Sequence, residues 1–432
     1  MRRRGVLCTY IDQMRQNTGF TCLLSPMSFR PAPLTGIRVL DLTRVLAGPW
    51  CTQNLADLGA EVIKIERPGA GDDTRGWGPP YLKDAHGKDT TEAAYYASAN
   101  RNKQSVAIDI ATERGAQLVR ELSKQCDILV ENFKVGGLSK YGLDYESIKA
   151  INPALIYCSI TGFGQTGPYA SRPGYDFMIQ GMGGLMSITG ERDDLAGGGP
   201  QKAGVAVADL MTGMYSTVGI LAALHERTRS GLGQHIDMAL LDCQVAMLAN
   251  QNLNYLTTGV APKRAGNAHQ NLVPYQVFAA SDGHLIVAVG NDTQFKAYCH
   301  VIGRPALPDD VRFRTNSNRV IHREILIPLL TEAMKAQARD HWLEALERAG
   351  VPAGPINTID QVYQNPQVKA RGMRRTLPHG SAGQAPVSSS PLRFSDSPVN
   401  YHHAAPLLGE HTEQVLRERL GLSPEEIQEL KH

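Results

Sequence analysis

The chain has 432 residues, a formal net charge of +2, 42% apolar residues and 20% charged residues. Those values describe an ordinary globular protein long enough for two domains, and the near-balance of charge supplies no basic field for nucleic acid. No continuous apolar run approaches the ~20 residues that span a bilayer. The seven cysteines (Cys8, Cys22, Cys51, Cys126, Cys158, Cys243 and Cys299) form no C-x-x-C pair, and the thirteen histidines include no H-E-x-x-H. A reducing compartment is therefore expected, with no disulfide framework and no metal site.

Residues 1–33 hold several arginines, a single acid (Asp12) and no apolar periodicity, and they end in Pro31-Ala32-Pro33. One reading is an Arg-rich, acid-poor transit peptide and a mitochondrial matrix protein. The other is an extension ahead of a natural start at Met27 in a bacterial, cytoplasmic chain. The scarcity of serine and the lack of an amphipathic stripe favour the second.

From Leu34 the pattern alternates. "GIRVLDLT" is β-rich, "GPWCTQNLADLGA" has helical spacing with Pro49 in its first turn and Gly59 at its stop, and "EVIKIE" is a second short strand. Strand "SVAIDI", helix 112–125, strand "DILVEN", helix 143–151 and strand "ALIYCSI" follow. Strands joined by single helices predict an open, doubly wound parallel sheet of Rossmann type. Residues 203–258 turn helical, "GHLIVAVG" (283–290) is a strand, 322–349 reads as two helices, and "GVPAGPIN" (350–357) breaks the chain.

Gly162-Phe163-Gly164-Gln165-Thr166-Gly167 satisfies G-x-G-x-x-G. A dinucleotide fingerprint, however, needs its third glycine inside a helix start that receives the pyrophosphate. Pro168 follows at once, with Pro173 and Gly174 close behind, so a tight turn is expected instead. The first strand–helix–strand unit is a better nucleotide candidate: backbone N–H groups after "DLTRVLAGP" could take phosphate, and Glu66-Arg67 ends the strand that usually meets the ribose. The alternative is a solvated strand end, and the pattern by itself leaves both open.

Several stretches together carry a resemblance. They are "GIRVLDLTRVLAGPWCTQNLADLGAEVIKIERPGAGDDTRGWGPP", "ANRNKQSVAIDI", "DILVENFKVGGLSKYGLDY", "SITGFGQTGPYASRPGYDF", "RSGLGQHIDMALLD" and "APLLGEHT". From about Leu34 to its C-terminus the chain resembles the class III coenzyme A transferases, the group of formyl-CoA and carnitine CoA-transferases. Within them it is most similar to those acting on succinate, glutarate and related dicarboxylates. The resemblance implies an α/β fold with a large CoA-binding domain (34–225), a smaller α/β domain (230–345) and a C-terminal return to the large domain (354–432), in a dimer of interlocked rings.

It also implies a role for Asp176, an aspartate that on pattern alone reads first as a turn or helix-cap acid after Gly174. As nucleophile it would attack an acyl-CoA thioester, forming an anhydride and then an aspartyl-CoA thioester. By the same resemblance CoA meets Val45, Leu46 and Ala47 at the first helix start, Arg67 after the second strand, the run Asn100-Arg101-Asn102-Lys103, and Lys140. A glycine-bearing flap over the aspartate maps to "RAGNAHQNLVPYQ", with Gly266 and Asn267 at its tip; "GMGG" (181–184) and "GGG" (197–199) are competing glycine sources. Leu46 stands where formyl-CoA transferase carries glutamine, which points to a larger acid. Arg44 is a lone candidate for a distal carboxylate.

The implied partners are acyl-CoA, a carboxylic acid and a second copy of the chain, without nucleic acid, membrane or prosthetic group. Three rival functions fit parts of the pattern. An α-methylacyl-CoA racemase is disfavoured because Gly174-Tyr175-Asp176 lacks that group's usual histidine, a dehydrogenase because of Pro168, and a non-catalytic acyl-CoA-binding protein because Asp176 is retained.

Overall fold

The computed structural model describes residues 30–429. Residues 1–29 of the expected extension lie outside the described residues. The body is engaged by Ala32, which is buried beside Gly59, and by Leu34, whose N–H donates to the Leu58 carbonyl.

The alternating segments form β1 (Arg38–Asp41), α1 (Ala47–Asp57), β2 (Glu61–Glu66), β3 (Lys103–Ala107), α2 (Glu113–Ser123), β4 (Ile128–Glu131), α3 (Tyr145–Ile151) and β5 (Ile156–Thr161). They build a six-stranded sheet in the order β3-β2-β1-β4-β5-β6, all pairs parallel, where β6 is His235–Ala239. Helices cover both faces, which is why the strands read as continuous apolar runs. Val39, Val62, Ile128 and Ile156 point into one core with α1. Leu40, Ile63 and Leu129 point into the other with α2 and α3. Burying each such side chain contributes about 1.5–3 kcal/mol. Helix α2 shows the local logic: Thr112 caps it by accepting from the Gly115 N–H, and Ala116, Val119 and Leu122 fall on its buried face.

Strand order reverses between β1 and β4. The chain runs outward through β2 and β3, then returns to place β4 on the other side of β1, so the loops leaving β1 and β4 diverge. In an open α/β sheet that divergence is the crevice where ligands bind.

After β5 come α4 (Asp176–Met182) and α5 (Val207–Ser230); α6 (Leu240–Met247) and α7 (Asn250–Thr258) follow β6. The absence of any membrane-length apolar segment needs correcting, because α5 is 24 residues long with mean hydropathy 1.4 over its most apolar window. Its apolarity has a packing cause: Ala208, Ile220 and Ala223 enter the first core, and Gly213 lies against Ala47 and Trp50 of α1.

A second unit has its own core. Strands β7 (Tyr275–Ala279), β8 (His284–Ala288) and β9 (Ala353–Pro355) pair antiparallel, and α8 (Asp292–Val301), α9 (Arg323–Met334) and α10 (Arg339–Arg348) pack around them through Phe278, Leu285, Phe295, Leu330 and Trp342. Two domain limits are thereby corrected. β6 pairs with β5 and Leu240 enters the first core, so the large unit runs past 225 to α6. Ala353–Pro355 pairs with β8, so the small unit runs past 345 and the return starts after it. Both segments are short strands whose partners lie far away in sequence.

The returning chain forms the hairpin β10 (Arg374–His379) and β11 (Gly383–Ser388), then α11 (Thr412–Leu420). At the start of α11 it covers the outer edge of β3: the His411 N–H donates to the Ser105 carbonyl, and the Ala107 N–H to Thr412 Oγ1 at 2.9 Å. An unpaired sheet edge is thus closed.

Candidate active site

The loop after β5 explains the glycine motif. The chain leaves Thr161, bends through Gly164 and Gly167 (φ +84° and +89°), and comes back so that Gly174 lies directly on Gly162. A Cβ on either glycine would overlap the other's Cα, so the close approach needs both. No helix begins at Gly167. The fold-back instead delivers Asp176 to the first position of α4, beside the start of α5.

There Asp176 accepts three hydrogen bonds. Oδ1 takes the N–H of Ala208 at 2.8 Å and of Asp209 at 3.2 Å, and Oδ2 takes Gln180 Nε2 at 2.7 Å. Two of these donors belong to the N-terminal turn of α5, whose dipole favours an anion. The Asp209 carboxyl sits alongside. Burial, and then the charge of Asp176, push it up to about 7.

From this point a groove runs along the strand ends. One section, about 510 Å³, lies between Val45, Asn132, Lys140, Arg172, Gly174 and Asp209. The next, about 340 Å³, lies between Glu66, Arg67, Asp109 and Ile110. Arg44, Asp73, Phe133 and Tyr141 line both, so they form one elongated channel over the reversal between β1 and β4.

Its floor is a buried ion network. Asp41 accepts from Thr43 N–H and Oγ1, Thr52 Oγ1 and Lys103 Nζ. Burial would raise its carboxyl, but Lys103, Lys64 and those hydroxyls outweigh it and hold it at about 2. Lys64 Nζ donates to the Thr43 carbonyl (2.6 Å) and to Asp72 (3.0 Å), and Asp72 accepts the Val45 N–H at 3.1 Å. Val45 needs that support, because it is a β-branched residue at φ +72°.

Residues 34–412 match the protein family described as CoA-transferase family III. The chain belongs to that family. This CoA-transferase is 54% identical over 396 residues to the succinate–glutarate CoA-transferase of Agrobacterium fabrum, covering 91% of this chain and 98% of the relative. It is 45% identical over 398 residues to human succinyl-CoA:glutarate CoA-transferase, covering 92% and 88%. A solved CAIB/BAIF family protein from Brucella suis superposes with TM-score 0.78 at 53% identity, covering 90% of this chain and all of that one.

Within the transferase, the groove brings together Val45, Leu46, Ala47, Lys140 and, at its far end, the exposed Arg67, while its near end is lined by Gly174, Tyr175 and Asp209, the immediate neighbours of Asp176. Arg44 stands between the two sections, paired with Asp73 at 2.9 Å.

The run Asn100–Lys103 is a correction. Lys103 is wholly buried and spends its ammonium on Asp41, the Pro49 carbonyl and Asn100 Oδ1, leaving no donor for a phosphate. Arg101 forms a buried pair with Asp57, and Asn102 bonds Asp57 and the Asn400 carbonyl. These residues support the fold beneath the groove instead of lining it.

Gly266 lies against Glu191, and Asn267 lines a different concavity with Arg264 and Arg323; no hydrogen bond joins the segment to Asp176 among the described residues. Of the competing glycines, Gly183 packs on Gln244 and Gly198 on the Arg192 carbonyl.

Asp209, Gln180 and the pair Asn132-Phe133 went unassigned in the sequence. Asp209 was legible only as an ordinary acid near a helix start. Gln180 carried a signal in its spacing, since i+4 on one helix face returns a side chain to Asp176.

Proposed function

We propose that this CoA-transferase moves CoA from succinyl-CoA to a dicarboxylic acid of the glutarate class, with Asp176 as the covalent nucleophile. The acids rest on the printed names of the relatives from Agrobacterium fabrum and human. The nucleophile rests on one observation: a carboxylate held by two backbone N–H groups and Gln180, next to Tyr175 and Asp209 of the switch-point groove.

A Asp176 carboxylate oxygen attacks the thioester carbonyl, the C–S bond breaks, and CoA departs as thiolate. The thiolate then attacks the aspartyl carbonyl of the anhydride and releases the donor acid as carboxylate, leaving an aspartyl-CoA thioester. The acceptor carboxylate reverses the sequence, so charge balances at every step with no external proton or reductant. The helix start that holds the aspartate also faces negative charge as it develops on the acyl oxygens. CoA lies along the groove with its phosphates toward Arg67 and its pantetheine past Val45, Leu46 and Ala47, with Lys140 on the opposite wall. The enzyme needs no prosthetic group on this scheme.

We also read it as a cytoplasmic homodimer, the mitochondrial matrix being the alternative site. Met214, Tyr215 and Val218 on α5 and Leu253 and Leu256 on α7 are exposed, and apolar surface of that kind supports association.

The test is trapping. Enzyme given succinyl-CoA and hydroxylamine without acceptor should lose activity as Asp176 becomes a hydroxamate, mapped by mass to the peptide holding Gly174–Phe177, and glutarate should protect. An unmodified Asp176 in fully inactivated enzyme would overturn the mechanism.

A further inference from the structure

Asp209 is not needed by the covalent scheme, yet it lines the groove one backbone hydrogen bond from the nucleophile. Two carboxyl groups this close do not both ionise freely; the pair holds its first proton on whichever member is less well solvated by donors. Asp176 has three donors. The Asp209 carboxyl accepts from none among the described residues, although its own N–H is one of the donors to Asp176. The geometry therefore favours the proton on Asp209.

Other charges do not reverse this. The groups that face Asp209 are Asp176 on α4 and, from the 94–97 segment, the half-buried Tyr95, whose hydroxyl is pushed up by burial and by Asp209 and Asp176. Across the groove stand Arg44, Asp73, Lys134, Lys140 and Arg172. Arg44 is paired with Asp73, Lys140 lies over Tyr141 and Arg172 over Tyr169. None of them bonds Asp209.

We propose that Asp209 is a further catalytic residue, a neutral carboxylic acid that donates a hydrogen bond to the free carboxylate substrate as it leaves or attacks the Asp176 adduct. This rests on Asp176 being the nucleophile. The chemistry asks for such a donor. The acid must sit as an anion beside a site that is itself anionic in half of the cycle, and a neutral O–H removes part of that repulsion while keeping its own proton. No bond to Asp209 is made or broken. Ionisation of Asp209 removes the donor and adds a second negative charge, so the acid half-reaction weakens with rising pH. Burial and the neighbouring charge place that ionisation at about 7.

The measurement is the pH dependence of kcat/KM for glutarate and, separately, for succinyl-CoA, between about pH 5.5 and 8.5. In the natural enzyme the glutarate value should fall at least tenfold across that range, through a rise in KM for the acid. Asp209→Asn keeps a donor that does not titrate; it should retain at least a tenth of the pH 6 rate and lose the fall. Asp209→Ala should be slower than the Asn variant at every pH. A flat natural profile, an Asn variant that bends like the natural enzyme, or an Asn variant as slow as Ala would each overturn the proposal. Hydroxylamine trapping at Asp176 in the Asn variant separates the two readings. Donor-dependent labelling with an unchanged pH profile defeats only the role of Asp209, whereas no labelling in natural enzyme defeats the nucleophile itself.

Discussion

The floor and the rim of the groove use the same residue types in opposite ways. In the floor, Asp41, Lys64, Asp72 and Lys103 are wholly buried and each is paired. On the rim, Arg67, Lys140 and Arg172 are exposed along the channel walls. A buried ion pair seldom adds net stability, but removing one partner strands the other, so its value is in fixing geometry. Here that geometry is the Thr43–Val45 turn, held by Lys64 and Asp72 in a conformation valine avoids by itself. Rim cations keep their hydration until a phosphate or carboxylate arrives. The floor shapes the site and the rim is available to fill it.

The largest effect expected is at neither. Asp176→Ala should lower turnover by about 10⁴-fold or more, some 5 kcal/mol of barrier, while CoA binding measured by calorimetry stays within a few-fold. Retention of a tenth of the natural rate would remove Asp176 from the covalent role.

Breaking the floor comes next. Lys103→Met leaves Asp41 without its ammonium partner, and the protein should lose about 3–5 kcal/mol in denaturant unfolding. Any activity loss should follow the folded fraction, and the ratio of CoA to dephospho-CoA affinity should not move. A changed ratio in folded protein would return Lys103 to the groove.

Gly174→Ala tests the fold-back. Its methyl meets Gly162, which must shift and carry Asp176 with it; a displacement near 1 Å costs about 100-fold in rate. Unchanged turnover would mean the loop yields elsewhere.

The rim gives the smallest effects. Arg67→Ala should weaken CoA about tenfold, the ~1.5 kcal/mol of one charge-assisted bond, and dephospho-CoA hardly at all; Lys140→Ala should cost a few-fold. Salt should erode these rim effects, because exposed charges are screened, and leave the stability effect of Lys103→Met nearly intact. Equal salt sensitivity in both would dissolve the distinction.

Much of this was legible in the chain itself. Apolar runs bounded by capping residues and glycines mark β1 to β5 and their helices, because local pattern and burial on both faces agree there. Pro168 directly after Gly167, with Pro173 and Gly174 close behind, removes the dinucleotide fingerprint, since a helix cannot run through them, and the motifs around Asp176 carry the family. The tertiary structure decided what depends on distant partners. β6 and β9 are five and three residues long and gain their identity only from β5 and β8. The direction of a cation is equally invisible along the chain: Arg67 and Lys103 look alike in sequence, and only the sheet, which puts β3 under α1 and leaves the end of β2 open, buries one and exposes the other. Asp209 shows the same limit, for its proton depends on Asp176, 33 residues away along the chain and one hydrogen bond away in space.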